Sequence, residues 1–110
     1  TGNKVEDFGV GFYTKYGDGG VDISPIADCN KSEIWEIGKE LNILKEIIDA
    51  PPTDGLWDDG RTDEGQLGMS YKDIEIAMND PKSPNREKYE KIRLTNLHKM
   101  EPIPVCIIPR

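Results

Sequence analysis

The sequence predicts a mostly α-helical chain with one or two short strands and long loops. Three observations carry that reading. Apolar residues recur at intervals of three and four in several stretches opened by Asn or Ser. Two segments rich in Gly and Asp separate those stretches and show no periodicity. Prolines stand where the periodic stretches stop, and a residue without a backbone N–H cannot continue a helix.

Taken in order, Asn3 to Val10 is weakly helical, with Val5, Phe8 and Phe12 spaced to share a face and Asn3 and Glu6 spaced as a capping box. Tyr16 to Asp22, YGDGGVD, holds three glycines in seven residues and is predicted to be a shaped loop. Ile23 to Ile26 reads as a short extended stretch, confined to a sheet edge or strand end by Pro25. The strongest helix is expected from about Lys31 to Leu41, with Ile34, Ile37, Gly38 and Leu41 on one side and Asn30 with Glu33 as its cap. LKEIIDA forms a second short helix that Pro51 and Pro52 close. Thr53 to Leu67 is predicted to be one long loop, a length that is usually functional or mobile. Ser70 and Asp73 cap the next helix, which turns Tyr71, Ile74 and Ala77 inward. Ser83 and Pro84 start the last, with Tyr89, Ile92 and Leu97 or His98 along it. The tail PIPVCIIPR is extended.

Of 110 residues 35% are hydrophobic and 32% charged, so one domain at most, with a thin core, is expected. With 21 acidic against 14 basic residues the net charge is -7, which argues against a nucleic-acid or membrane-surface binder, since both need a basic excess to meet phosphate. No window is apolar enough to span a bilayer. Cys29 and Cys106 belong to no ligand cluster and are expected as buried free thiols. The sequence opens at Thr1 inside what reads as a motif, and is taken as a piece of a longer chain.

Several residues draw attention on chemical grounds. Lys15 and Asp22 bracket the glycine loop with opposite charges. The loop itself is neither a P-loop nor a dinucleotide fingerprint, because GxxxxGK[ST] and GxGxxG are both missing. Lys31 lies in the first turn of the strongest helix, where the dipole disfavours a cation and an anion such as phosphate would be welcome. Asp54, Asp58, Asp59, Asp63 and Glu64 suggest calcium, but an EF-hand loop begun at Asp54 would place Leu56 and Gly65 where carboxylates belong. His98, followed by Lys99, is the only histidine and sits where a helix C-terminus favours cations. Two readings without catalysis stand beside these: a stand-alone acidic binding or regulatory module, and, disfavoured by that spacing, a small calcium-responsive protein.

In order, TGNKVE, FYTKYGDGGVDISPI, NKSEIWEIGKEL, PPT, DEGQLGMSY and LHKMEP together resemble the carboxy-terminal part of ammonia-dependent NAD synthetases, over nearly the whole chain. The resemblance implies an α/β parent enzyme, an adenine nucleotide alpha hydrolase-like parallel sheet with helices, of which residues 1–110 are the carboxy-terminal portion of a single domain. It implies a homodimeric cytoplasmic ligase of NAD biosynthesis, with Mg2+ as metal, that joins deamido-NAD and ammonia through an acyl adenylate made from ATP. ATP binding then falls to Thr1, Lys31 and Thr53, deamido-NAD binding to Lys15, Asp22, His98 and Lys99, and the metal to Glu6. The DEGQLG end of the long loop matches the family's mobile cover. The family's pyrophosphate-binding SGGxDS loop is not among these residues, so the 110-residue chain by itself is expected to be inactive.

Overall fold

Asn3 begins the first element by taking two N–H groups on its side-chain oxygen, from Val5 at 3.0 Å and Glu6 at 3.2 Å. In the computed structural model, which describes residues 2–110, Val5–Val10 then forms a π-helix. Its bonds reach five residues back, as from the N–H of Gly11 to the carbonyl of Glu6. That wider turn corrects the expected face. Val5 and Val10, five apart, are fully buried, while Phe8 is turned out and 53% exposed. The capping box is also half made, since Asn3 caps but the Glu6 carboxylate points elsewhere.

Gly11 ends the π-helix at φ 69°, and a Cβ there would lie 2.5 Å from Cβ of Asn96. Gly11→Ala is therefore expected to cost at least the roughly 1–2 kcal/mol of a left-handed L-residue, measured as a lowered urea midpoint of the intact protein. The glycine loop that follows is wound tightly. Thr14 accepts from the N–H of both Gly17 and Gly19, at 3.1 and 3.0 Å. A Cβ on Gly19 would meet the Lys15 carbonyl at 2.5 Å.

The remaining elements are α1 (Lys31–Glu40), α2 (Lys45–Ile48), α3 (Asp63–Leu67), α4 (Tyr71–Asn79) and α5 (Arg86–Asn96), with a 3-10 turn at Leu97–Lys99. Among the described residues there is no strand, which corrects the one or two expected. Ser24–Cys29 instead folds into successive turns, Ala27 bonding back to Ser24 at 3.3 Å and Cys29 to Ile26 at 3.0 Å. Ile23 is 73% exposed and has no neighbouring strand to pair with. The expected loop over Thr53 to Leu67 is corrected at its end. Thr62 caps α3 by accepting from Gly65 N–H at 3.1 Å, and Asp63 and Leu67 are buried. The loop that remains is closed at its base by the Asp63 N–H on the Pro52 carbonyl, 2.9 Å.

Helix α4 is the centre of the packing. Ser70 caps it through Asp73 N–H at 3.1 Å, and Tyr71, Ile74 and Ala77 are fully buried. They meet Val5 and Val10 of the π-helix, Leu67, Met69 and Tyr89 of α5, with Phe12, Trp35, Met78 and Ile92 against the edge. At its far end the Arg86 guanidinium takes the carbonyls of Ala77 at 2.7 Å and Met78 at 3.1 Å. Helix α5 starts two residues later than Pro84 suggested, because Ser83 first holds a turn through Asn85 N–H at 3.2 Å.

The radius of gyration, 15.8 Å, exceeds the roughly 13 Å of a compact chain of this size, and the extents are 59 × 35 × 30 Å. Two features lengthen it: α1 buries none of its residues fully, and residues 101–110 run exposed. Cys29 is half-buried and Cys106 exposed, so the expectation of buried thiols fails for Cys106. Among the described residues no helix is long and apolar enough to cross a membrane.

Candidate functional site

The π-helix, the glycine loop and the base of the 53–62 loop enclose an open cleft. Its larger part, about 370 Å³, is lined by Glu6, Asp7, Thr14, Asp18, Thr53 and Asp54. An adjoining part of about 240 Å³ adds Lys31 and Asp63. Lys99 lines a third part beside Tyr13 and Thr14. Carboxylates dominate this lining. The cleft therefore suits a cation, or an anion that arrives with one.

Glu6 is held here by residues far away in sequence. Lys31 Nζ lies 3.0 Å from Glu6 Oε1, and both side chains are only 17% exposed. The Tyr71 hydroxyl reaches the same Oε1 at 2.6 Å and Asp63 Oδ2 at 2.8 Å. The Tyr71 ring also lies 4.9 Å from the Lys31 ammonium and meets Trp35 edge-on at 6.3 Å. Two donors thus converge on Oε1, and among the described residues none is directed at Oε2.

Burial, above all, pushes the Asp63 carboxyl above the usual carboxylate range; the Tyr71 hydrogen bond opposes that and the Glu6 charge adds to it. One phenol hydrogen cannot serve two carboxylates. Both contacts of the phenol are hydrogen bonds when Asp63 donates a proton to the phenol oxygen while the phenol donates to Glu6. Burial and the two carboxylates push the Tyr71 phenol far above its ordinary value, so it stays a donor. Asp7 is raised as well, first by burial and then by Glu6. Asp7 Oδ1 and Asp63 Oδ1 are both buried without a hydrogen-bond partner.

Lys31 does not serve the start of its own helix. The Ser32 N–H and hydroxyl are taken by Glu75 at 2.9 and 2.7 Å, and the Asn30 N–H by Glu33 at 2.7 Å. The anion expected at that helix start is thus supplied by the protein's own carboxylates, and Lys31 sends its ammonium into the cleft. Thr53 stands opposite. Its hydroxyl oxygen accepts from Gly55 N–H at 3.0 Å, leaving its hydrogen free to donate. Asp54 accepts from Leu56 N–H and Gln66 at 3.1 Å each, and these bonds hold its carboxyl below the usual range.

At the other end, Lys15 Nζ donates to the His98 carbonyl at 2.8 Å and to that of Glu101. The Tyr13 hydroxyl donates to the Lys99 carbonyl at 2.6 Å, and Lys99 Nζ to the Gly11 carbonyl at 2.8 Å. Burial lowers the Lys99 ammonium from its ordinary value. Lys15, His98 and Lys99 are therefore brought together, whereas Asp22 stands exposed beyond the glycine loop and joins no contact there. Thr1 lies outside the described residues.

Three participants were not singled out from the sequence as site residues: Asp7, Asp63 and Tyr71. Tyr71 was legible only as an inward residue, and Asp63 only as one more charge in an acidic loop. The Thr62 cap before DEGQL was the available signal for Asp63.

Among the described residues no group of three or more His, Cys, Asp or Glu side chains is placed to hold a metal ion. Magnesium carried by a nucleotide requires less, one or two carboxylates with phosphates and water completing the octahedron. Glu6, oriented through Oε1 with Oε2 left over, fits a single-carboxylate ligand of that kind.

The family model described as NAD synthase matches residues 1–103. The NH(3)-dependent NAD(+) synthetase of Alkaliphilus oremlandii is 42% identical over 94% of this chain and 42% of its own length. That of Syntrophomonas wolfei is 38% identical over 99% of this chain and 44% of its own. The solved structure of NMN synthetase from Francisella tularensis overlays with a TM-score of 0.81 at 33% identity, covering 99% of this chain and 44% of that one. The chain thus spans less than half the length of these relatives.

Proposed function

The chain belongs to the NAD synthase family, and on that premise we propose that it is the carboxy-terminal portion of an ammonia-dependent NAD synthetase, a ligase joining deamido-NAD and ammonia at the expense of ATP. The observation that carries the reading is the convergence of Glu6, Lys31 and Thr53, from three separate segments, on one cleft. In this reaction the substrate carboxylate attacks the α-phosphate of ATP, pyrophosphate leaves, and ammonia displaces AMP from the acyl adenylate.

Lys31 would be the cation that meets phosphate, and Thr53 would offer a hydroxyl donor from the same cleft, a role their shared lining supports. Leaving Glu6 for the nucleotide costs Lys31 little, because both partners are acceptors of the same kind. Glu6 Oε2 would hold Mg2+, which supplies charge neutralisation where the phosphates crowd. Lys15, His98 and Lys99 form the end suited to deamido-NAD. The backbone carbonyls of Lys99 and His98 are already tied to the Tyr13 hydroxyl and the Lys15 ammonium, which supports the view that this end presents a preset surface. The 53–62 loop, whose base is closed by the Asp63 to Pro52 bond, would keep water from the adenylate. The homodimer implied by the family belongs to this proposal too.

The Francisella neighbour favours a second reading, amidation of a nicotinate mononucleotide. Full-length protein supplied with ATP, Mg2+, ammonia and either deamido-NAD or the mononucleotide decides between them. The expected result is NAD from the dinucleotide at the higher kcat/KM. Preference for the mononucleotide would establish the second reading, and no product from either would sink both.

A further inference from the structure

We propose that Tyr71 is a positioning residue for the metal-bearing carboxylate, its hydroxyl fixing Glu6 so that Oε2 faces the cleft. The inference rests on the synthetase reading for the identity of the metal, and on geometry for everything else. The two donors on Glu6 differ in kind. Lys31 sits on a flexible stem at the cleft wall, lines the cleft itself, and is drawn away when a phosphate enters. Tyr71 has no such freedom: it is fully buried, its ring is braced edge-on by Trp35 at 6.3 Å, and its backbone N–H is anchored on the Glu64 carboxylate at 2.9 Å. Its 2.6 Å bond to Oε1 is therefore the contact that persists once Lys31 turns to the nucleotide.

The same hydroxyl contacts Asp63 at 2.8 Å, at the first residue of α3 and the base of the 53–62 loop. One oxygen thus ties the π-helix to the foot of the loop. Partners of this sort orient metal ligands, and their loss typically costs about ten- to a hundredfold in metal affinity.

The test is a titration of Mn2+ into the full-length enzyme with ATP present, following free Mn2+ by electron paramagnetic resonance, a readout independent of turnover. Tyr71→Phe is expected to weaken Mn2+ by about tenfold or more. Added to Glu6→Gln it should bring no further loss, because Tyr71 acts through Glu6. Unchanged affinity in Tyr71→Phe, or losses that add in the double variant, would overturn the proposal. Should Tyr71→Phe not fold, Trp35→Leu, which removes the edge-on brace of the Tyr71 ring and lies outside the cleft, is expected to weaken Mn2+ in the same direction, and unchanged affinity there would overturn the proposal. A wild type that makes no NAD but loses Mn2+ affinity on Tyr71→Phe would overturn the synthetase reading and leave this one standing.

Discussion

Lys31→Ala in the full-length enzyme is expected to lower kcat/KM for ATP by about ten- to a hundredfold, the equivalent of roughly 1.5–3 kcal/mol for a charge-assisted contact. The size follows from where the ammonium lies. Its side chain is 17% exposed, faces a cleft rich in carboxylates, and has no role at its own helix start, where Glu33 and Glu75 already fill backbone donors. Removing it leaves Glu6 still held by Tyr71, so thermal stability should change much less than ATP use. Steady-state kinetics over ATP concentration at saturating Mg2+ measure the first quantity and a melting curve the second. Unchanged ATP dependence would reduce Lys31 to the structural partner of Glu6.

Ile74→Ala is expected to produce the largest loss of stability among single apolar truncations, about 2–5 kcal/mol for a fully buried site. Ile74 is 0% exposed on α4, between the π-helix and α5. With only seven other buried residues in its cluster, few neighbours can relax into the space. Ile37→Ala on α1, at a site 44% exposed, should cost well under half as much. Urea unfolding of the two variants in the intact protein compares them directly. Similar losses would mean that α1 is packed as firmly as α4.

That contrast also marks what the sequence could convey. The cap at Ser70 and the inward row Tyr71, Ile74, Ala77 are local matters of spacing and are found as read, and at Asn3 the Asn half of the expected box is found. Periodicity tells which residues share a face but not what covers it. The clearest amphipathic helix, α1, consequently has Ile37 at 44% and Leu41, just beyond its end, at 68% exposed. The π-helix defeated the same reasoning at Phe8, because spacing arguments assume 3.6 residues per turn. In the site, Lys31 was legible as an oddly placed cation. Its actual partner, Glu6, is 25 residues away, and Tyr71 is 65 residues from Glu6. Such distances leave no local trace, so the arrangement of Glu6, Tyr71 and Asp63 needed the fold.

Helix α5 reads the end of the π-helix carbonyl by carbonyl. Arg93 donates to Phe8 and Gly9, Asn96 to Val10 at 3.1 Å, and Lys99 to Gly11 at 2.8 Å. The readers are three residues apart and so line one side of the helix and its final turn. A helix end ordinarily frays on its own, exposing its amides first. This one cannot open without stripping a row of side chains from a neighbour 80-odd residues along the chain. The segment bearing Glu6 and the segment bearing His98 and Lys99 therefore share one opening free energy. Hydrogen exchange would see them as a single cooperative unit, with the two ends of the cleft kept in register.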